Sequence, residues 1–227
     1  MIKNFLFVLA VIFGLIFLFT DYGKRIDNYF TSFKTSSERT AEKAPPPIGK
    51  VIEGDPEDFY PLSQGKSWRY AATHATKGQG KLTITNLSQQ TIKDKITVPR
   101  QYEFDNGGVF LSYIIYIVKD PGDIYQFAKG SSLNSEPHIY EPVDLVREPL
   151  QVGSNWKRTN TTGIVEGIDE KITVPAGTFE GCVKIKTTFS GGAQTRQWFA
   201  PRVGMVKMNY KYPDEKRNSE LLLESYK

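Results

Sequence analysis

The sequence predicts an all-β fold, an antiparallel meander built from two similar halves and preceded by one N-terminal transmembrane helix. Three observations predict it: an apolar run near the start of the chain, alternating apolar and polar segments along the remainder, and two sequence blocks that each occur twice. The predicted domains are a membrane anchor over residues 1–22, a flexible linker over 23–58 and a β-domain over 59–227, with halves at approximately 59–146 and 147–227.

The apolar run comes first. Every residue from Phe5 to Phe19 is apolar or glycine, and the uncharged stretch over residues 4–20 has 17 residues. A helix of that length spans roughly 25 Å, the short end of what a bilayer core requires. A cleaved signal peptide and a buried core helix are the alternatives. The residues after the run, Thr20–Lys24, lack the small-x-small pattern of a signal-peptidase site, so we expect an uncleaved signal anchor.

The orientation of this anchor depends on its flanks. Lys3 precedes the run and Lys24 and Arg25 follow it, so the positive-inside rule gives little preference. A short cytoplasmic stub followed by one anchor is the simplest way to export a domain, and we therefore expect the C-terminal domain outside the cytoplasm. Cleavage would instead give a secreted or periplasmic protein. The single cysteine, Cys182, lies far downstream, which excludes lipoprotein processing.

A polar segment separates the anchor from the β-domain. Ser, Thr, Lys and Glu dominate residues 32–50, where the apolar content is too low to offset the chain entropy of folding. The triplet Pro45-Pro46-Pro47 favours an extended, stiffened conformation. The segment is predicted to be a spacer that holds the β-domain away from the bilayer.

Strands are predicted over most of the chain from Phe59 onward. Lys81–Leu87 alternates strictly, and Val109–Val118 is the most apolar run and is predicted to be a central strand. The other candidates are Asp123–Phe127, Gly163–Val174, Cys182–Phe189, Thr195–Phe199, Gly204–Tyr210 and Glu220–Tyr226. Turn residues separate them at a spacing of about 8–12 residues, which is typical of an antiparallel meander.

An internal repeat supports the prediction that the β-domain consists of two similar halves. Residues 61–68 (PLSQGKSW) and 149–156 (PLQVGSNW) share P-L-x-x-G-x-x-W, and KITVP follows each at 95–99 and 171–175. The turn is predicted to lead into a strand that places the tryptophan on a core face, and the proline of KITVP to end a strand. Gly177 is expected to take a positive φ. A duplicated folding unit is the simpler interpretation, and two equivalent ligand sites are the alternative.

Three motifs carry a family resemblance. YPLSQGKSWRY (Tyr60–Tyr70), VPAGTFEGCVKI (Val174–Ile185) and WFAPRVGMVK (Trp198–Lys207) together resemble bacterial envelope and lipoprotein-like β-domains of uncharacterised function. The resemblance covers most of residues 59–210. It implies a curved antiparallel sheet, an open or half barrel, outside the cytoplasm. The chain departs from many such proteins because it lacks a lipobox cysteine, so the transmembrane helix would have to anchor it.

Composition excludes several kinds of site. The chain has 29 Lys and Arg against 25 Asp and Glu, a net charge of +4 that does not predict a nucleic-acid partner. One cysteine excludes an internal disulfide or a Cys-based zinc site. His74 and His138 have no ligand-like spacing, and no phosphate loop, nucleophile elbow or dinucleotide motif occurs. No cofactor, metal or catalytic residue is predicted.

Acidic pairs keep an enzyme interpretation open, because glycosidases use two carboxylates. The candidate acidic groups are Asp55, Glu57, Asp58, Glu166, Asp169 and Glu170. We interpret them as a solvated face with local ion pairs. Aromatic residues are the remaining candidates for recognition or packing: Tyr113, Tyr116, Tyr125, Phe127 and Tyr140. Tyr113 and Tyr116 are expected on opposite faces of their strand.

These observations predict a membrane-anchored extracytoplasmic β-domain with a binding or structural role in the bacterial envelope and no catalysis. Its expected partners are the membrane, through the helix, and an envelope protein, glycan or lipid whose binding residues the sequence does not identify. The alternatives are an envelope enzyme acting on glycan or lipid through the Glu166–Glu170 region, and a lipid carrier or chaperone with an apolar cavity.

Overall fold

The structure, a computed structural model, describes residues 49–52, 54–76, 78–108 and 110–227. The predicted anchor, residues 1–22, and the predicted linker up to residue 48 lie outside these ranges. Residues 49–58 of the predicted linker include a two-residue strand and a 3-10 helix, Pro56–Asp58. Within the described ranges there is no helix with the length and apolar character that a membrane span needs.

The described residues form fifteen strands. In chain order they are β1 (Val51–Ile52), β2 (Ser67–His74), β3 (Gly78–Asn86), β4 (Gln90–Ile92), β5 (Lys95–Asp105), β6 (Phe110–Asp120), β7 (Asp123–Gly130), β8 (His138–Arg147), β9 (Leu150–Gln151), β10 (Asn155–Lys157), β11 (Thr161–Val174), β12 (Gly177–Phe189), β13 (Gln194–Ala200), β14 (Gly204–Lys211) and β15 (Ser219–Tyr226).

Thirteen strands form one curved antiparallel sheet, in the order β10-β11-β12-β13-β14-β15-β2-β3-β5-β6-β7-β8, with β4 paired beside β5. The chain enters this sheet at β2, in the middle of the strand order, and the following strands continue outward to the edge strand β8. It then crosses to the other edge at β10 and returns to β15, which pairs with β2. No ladder joins β8 to β10 in the described sheet, so the sheet is not closed. The prediction of an all-β antiparallel meander is confirmed.

The two faces of the sheet differ. The face that carries Tyr70, Leu82, Ile185 and Leu223, called the inner face, is formed largely by buried apolar side chains. The outer face carries charged residues over much of its area. Its exception is the surface of β6 and β7, which the β4 arm covers with the partly buried Ile92.

Strand β6 is therefore buried on both sides, which explains its long apolar run. It lies within the sheet, but only two strands from the β8 edge. The middle of the sheet is instead occupied by β15 and β2. The prediction of a central strand was correct for the burial of β6 and wrong for its position, because a continuous apolar run reports that both faces of a strand are buried and not where the strand lies in the sheet order.

The first repeated block has the same local structure in both copies. Gly65 and Gly153 have φ values of +81° and +88°. The N–H of Gly65 donates to the carbonyl of Asn86 at 3.0 Å, and that of Gly153 donates to the carbonyl of Val165 at 3.0 Å. Each turn is thus pinned to the second strand of its half, and the tryptophan that follows is buried in the first strand.

The second repeated block differs between the copies. Val174 ends β11, and Gly177 follows with a φ of +133°, both as predicted. Pro99, however, lies inside β5, so the prediction that KITVP ends a strand is wrong for the first copy. Proline is tolerated there because β3 ends at Asn86 and β4 begins at Gln90, which leaves a gap in the ladder opposite Pro99.

Candidate functional site

The aromatic residues identified in the sequence divide between the two faces. Tyr113 and Tyr116 lie on opposite faces, as predicted: Tyr113 pairs with Tyr102 on the inner face, whereas Tyr116 packs beneath the β4 arm on the outer face. Tyr125 and Phe127 belong to the same outer cluster as Tyr116. Those three residues are therefore packing residues.

The inner face holds a compact group of aromatic and polar side chains, which we call the inner tyrosine cluster: Tyr102, Tyr113, Gln126, Lys129 and Tyr140. The rings of Tyr102 and Tyr113 stack with centroids 5.0 Å apart and an interplanar angle of 11°. The Nζ of Lys129 lies 4.8 Å from the centroid of the Tyr113 ring. The hydroxyl of Tyr140 donates to Oε1 of Gln126 at 3.2 Å.

Strand register brings this cluster together. Tyr102 faces Tyr113 across the β5–β6 ladder, and Lys129 lies opposite Ile115 in the β6–β7 ladder. In β7 and β8 the register shifts between Gln126 and Ala128, a bulge that re-aims side chains locally. Tyr102, Lys129 and Tyr140 are all partly exposed, so the cluster has a surface that a ligand can reach.

Burial sets the charge of these groups. It raises the pKa of the Tyr102, Tyr113 and Tyr140 hydroxyls, which stay neutral donors at physiological pH. Burial also lowers the pKa of the Lys129 amine to about 7. The cluster therefore presents parts of the Tyr102 and Tyr140 side chains and an amine whose charge changes near neutral pH, while Tyr113 and the Gln126 amide are buried beneath them.

A buried arginine fixes the loop beside the cluster. Arg100 donates from Nε to Oδ1 of Asn86 at 2.7 Å and from Nη2 to the carbonyl of Pro61 at 2.7 Å. Its guanidinium lies 4.0 Å from the ring centroid of Tyr60 and 4.8 Å from that of Trp68. Burial raises the pKa of the Tyr102 hydroxyl and the nearby Tyr60 adds to this shift, so the network extends from the first repeated turn to the cluster.

The acidic residues near the linker do not form a catalytic pair. Asp55 and Glu57 both accept hydrogen bonds from Nζ of Lys119, at 2.6 and 2.8 Å. Hydrogen bonds from Lys119 and from the backbone of Glu57 lower the pKa of Asp55. Asp55 and Lys119 also line an open cleft of about 460 Å³ beside the turn between β6 and β7, next to Gly122 and Glu148.

The acidic residues of the second half have separate partners. Glu166 accepts two hydrogen bonds from Arg196, at 2.8 and 3.2 Å. Burial acts to raise the pKa of Glu166, but the hydrogen bond and positive charge of Arg196 outweigh it and the pKa is lowered. Asp169 pairs with Lys50 at 2.8 Å, and Glu170 accepts from the indole of Trp198 at 2.7 Å. The three carboxylates therefore bind three different partners, Arg196, Lys50 and Trp198.

The histidines and the cysteine lie apart. His74 is buried at the end of β2, where its Nδ1 accepts from the backbone N–H of Thr76 at 3.1 Å. His138 is exposed at the start of β8. Burial raises the pKa of the Cys182 thiol to about 11, a shift to which the charge of Glu170 adds, so the thiolate is disfavoured. In the described ranges, no three His, Cys, Asp or Glu residues are grouped to hold a metal ion.

One polar cluster had no sequence signal. Asp123, Asp144 and Arg158 are far apart in the chain, yet Nη2 of Arg158 lies 3.1 Å from Asp123 and 2.8 Å from Asp144. Gln126 and Lys129 likewise belong to no sequence motif that would have identified them as site residues. Residues that join only through strand order and a bulge cannot be grouped from spacing along the chain.

Comparisons with known proteins give two similar structures. One is from Bacteroides fragilis and is described as an exported protein with a YmcC-like fold; it is 17% identical, with a TM-score of 0.49. The other is from Parabacteroides distasonis and is described as a lipoprotein; it is 17% identical, with a TM-score of 0.43. Each match covers 74% of this chain and 98% of the other. No family model and no curated protein matches. Neither description names a ligand.

Proposed function

We propose that the chain is a membrane-anchored β-domain of the bacterial envelope that binds an acidic glycan at the inner tyrosine cluster and catalyses no reaction. The observation that carries the proposal is the composition of the cluster. A sugar ring has apolar C–H faces and polar edges, and the cluster combines the stacked rings of Tyr102 and Tyr113 with the amide of Gln126 and the amine of Lys129. A uronic-acid carboxylate would match that amine.

Two further features favour a glycan over the alternatives. A lipid carrier requires a surface lined by aliphatic side chains, whereas hydroxyls, an amide and an amine interrupt this one. An enzyme working through Glu166, Asp169 and Glu170 requires carboxylates that share a substrate, whereas these three hold different partners. The proposal for location depends on the apolar run Phe5–Phe19 and on the absence of a cleavage pattern after it.

Titration calorimetry on the full-length protein in detergent micelles tests the binding proposal, with tetragalacturonate as the acidic probe and maltotetraose as the neutral one. We expect the acidic probe to bind more tightly, and Tyr102→Ala to weaken it by roughly tenfold or more. Tyr226→Ala is the matched control, because this tyrosine is 46% exposed and lies on β15, away from the strands that carry the cluster. Binding of cis-parinaric acid with no binding of either glycan would overturn the proposal in favour of the lipid carrier.

Membrane fractionation with mapping of the mature N-terminus tests the anchor. We expect the intact N-terminus in the membrane fraction and protease access to the β-domain in spheroplasts. A mature N-terminus beyond Tyr22 would show that the segment is a cleaved signal peptide.

A further inference from the structure

The two edges of the sheet meet through side chains. Strands β8 and β10 end the strand order and share no ladder, but residues just after β10 reach across to β8. Nε of Arg158 lies 3.1 Å from each carboxylate oxygen of Asp144, and Nη2 lies 2.8 Å from Oδ1. The hydroxyl of Thr159 donates to Glu141 at 3.0 Å. We call this contact between β8 and residues 158–159 the seam.

The centre of the seam is a pair of neighbouring carboxyl groups. The side chain of Asp144 has 0% exposure and that of Asp123 has 12%. Both carboxylates lie against the same nitrogen, Nη2 of Arg158, at 3.1 and 2.8 Å, and two like charges held this close together favour retention of a proton by one of them. Burial and then the charge of Asp144 raise the pKa of Asp123 to about 7.

The other oxygen of Asp123 shows why ionisation is unfavourable in the closed seam. Oδ1 of Asp123 is buried and has no hydrogen-bond partner among the described residues. A full negative charge on this carboxylate would therefore be poorly solvated unless water reached it. Gly122 and Glu148, the chain neighbours of Asp123 and Arg147, line the open cleft, so solvent lies close to the pair.

The charged and titratable groups around Asp123 come from three elements. Asp144 and Arg147 lie on β8, with Nη1 of Arg147 at 3.5 Å from Asp144 and 3.8 Å from Asp123. Arg158 follows β10, and Tyr125 lies on β7 with its ring centroid 5.7 Å from the Arg158 guanidinium. The two arginines favour ionisation, but burial and the neighbouring carboxylate outweigh them.

We propose that Asp123, Asp144 and Arg158 form a proton-dependent latch: with one proton on the carboxyl pair, the latch holds β8 against the segment after β10, and loss of that proton lets the two edges separate. Separation hydrates Asp123, whose carboxyl then returns to its ordinary acidity. The direction of the pH dependence follows from the difference in proton affinity between the closed and the open seam. The closed seam binds the proton more tightly than the open one, so opening becomes easier as pH rises from about 4 to about 7 and is constant above that range.

The latch bears on the inner tyrosine cluster because the same strands carry both. Gln126 and Lys129 lie on β7, and Tyr140 lies on β8. Separation at the seam would free β8 and displace Tyr140 from Gln126, which loosens the ligand surface. This regulatory part rests on the proposed glycan binding; the latch itself does not.

Hydrogen exchange on the full-length protein, without any glycan, tests the latch. Protection factors, corrected for the pH dependence of intrinsic exchange, are compared at pH 5, 6, 7 and 8 for β8 and for residues 155–160. We expect protection there to fall by up to about tenfold per pH unit between pH 5 and 7, and protection in β2 and β15 to change little. Uniform loss across the sheet, or no pH dependence at the seam, would overturn the latch.

Variants separate the latch from general effects. Asp123→Asn keeps a neutral hydrogen-bonding group beside Asp144, so we expect its seam protection to be independent of pH. Arg158→Ala should lower seam protection at every pH. Glu180→Gln, which removes an exposed ion pair with Lys171, is the control and should behave like the wild type. A pH dependence that persists in Asp123→Asn would contradict the proposal.

Binding of tetragalacturonate at pH 5 and 7 then tests the regulatory part separately. We expect Asp123→Asn to remove a part of the pH dependence of wild-type binding. Normal latch behaviour in hydrogen exchange with no such effect would refute only the regulation. Failure of the glycan to bind at any pH would refute the proposed function and leave the latch intact.

Discussion

Trp156 of β10 lies against Gly163, the residue directly opposite it in β11, and a methyl group on that glycine would overlap the indole ring. In the first repeat, the indole ring of the tryptophan is accommodated by different contacts. Trp68 lies opposite Ile84, and its indole N–H donates to the carbonyl of Val203 at 2.6 Å. The duplicated motif therefore fixes where each tryptophan enters the sheet, while unrelated residues supply the space that each ring fills.

Replacing Gly163 with alanine should destabilise the protein by about 2–4 kcal/mol, because the indole of Trp156 must move out of a well-packed site. Urea unfolding monitored by tryptophan fluorescence measures the change. Gly191→Ala is the matched control, since its added methyl group would meet no atom within 4 Å, and it should change stability by less than about 0.5 kcal/mol. Equal stabilities for the two variants would contradict the packing argument.

Arg100 should be a stability residue despite its position beside the inner tyrosine cluster. Arg100→Leu leaves Oδ1 of Asn86 without its buried donor and removes one of the two donors to the carbonyl of Pro61, so we expect a loss of about 3–5 kcal/mol. Arg69→Leu, a change at an exposed position, should cost less than about 0.5 kcal/mol.

A double-variant cycle isolates the contact of Arg100 with Asn86. Asn86→Ala alone also removes the amide donors to the carbonyls of Pro61 and Ser63. If the two residues act as one network, the combined loss should be smaller than the sum of the single losses by about 1 kcal/mol or more. Additive losses would show that the two side chains act independently.

Much of the fold follows from local sequence pattern. The alternation in Lys81–Leu87 and the turn residues after Val174 predicted β3 and the β11–β12 hairpin, because side-chain period and turn chemistry are local properties. Strand β8 was not predicted, since its sequence HIYEPVDLVR contains a proline and two acids and lacks alternation. Those features suit an edge strand whose outer side faces a polar seam. The gap that admits Pro99 depends on β4, three residues that no pattern reveals.

The candidate site was only partly predictable. Tyr113 and Tyr140 were identified as aromatic candidates, but their strand partners decide that they face inward while Tyr116 and Tyr125 pack beneath β4. Tyr102, Gln126 and Lys129 could not be added without the register and bulge of β7. The scarcity of histidine and cysteine limited the kinds of site that the chain could form, but composition cannot show which side chains lie in contact.

Neutralising the acidic residues of the second half should leave function unchanged. Asp169→Asn keeps a residue that tolerates the φ of +55° at this position, and Glu170→Gln keeps an oxygen that can accept from Trp198. We expect both variants to bind tetragalacturonate within about twofold of wild type and to complement a deletion strain. A folded variant that loses complementation would favour the enzyme alternative, which requires these carboxylates.

Glycan binding should depend on the charge of Lys129. Because burial lowers the pKa of this amine to about 7, it is mostly protonated at pH 6 and mostly neutral at pH 8. The uronate carboxylates stay ionised throughout this range, since carboxyl groups of this kind have pKa values of about 3–4. The affinity for tetragalacturonate should therefore fall by roughly fivefold to tenfold from pH 6 to pH 8, measured by calorimetry.

Four variants test whether Lys129 causes this pH dependence. Lys129→Gln should bind weakly at both pH values, and Lys129→Arg, which stays charged, should bind equally well at both. His138 lies opposite Lys129 in the β7–β8 ladder and is a second titratable group, so His138→Gln is the control that should keep the wild-type pH dependence. The latch contributes mainly below pH 7, and Asp123→Asn should therefore retain most of the change between pH 7 and 8. A pH dependence that vanishes in His138→Gln and persists in Lys129→Arg would transfer the anion-binding role from the amine to the imidazole.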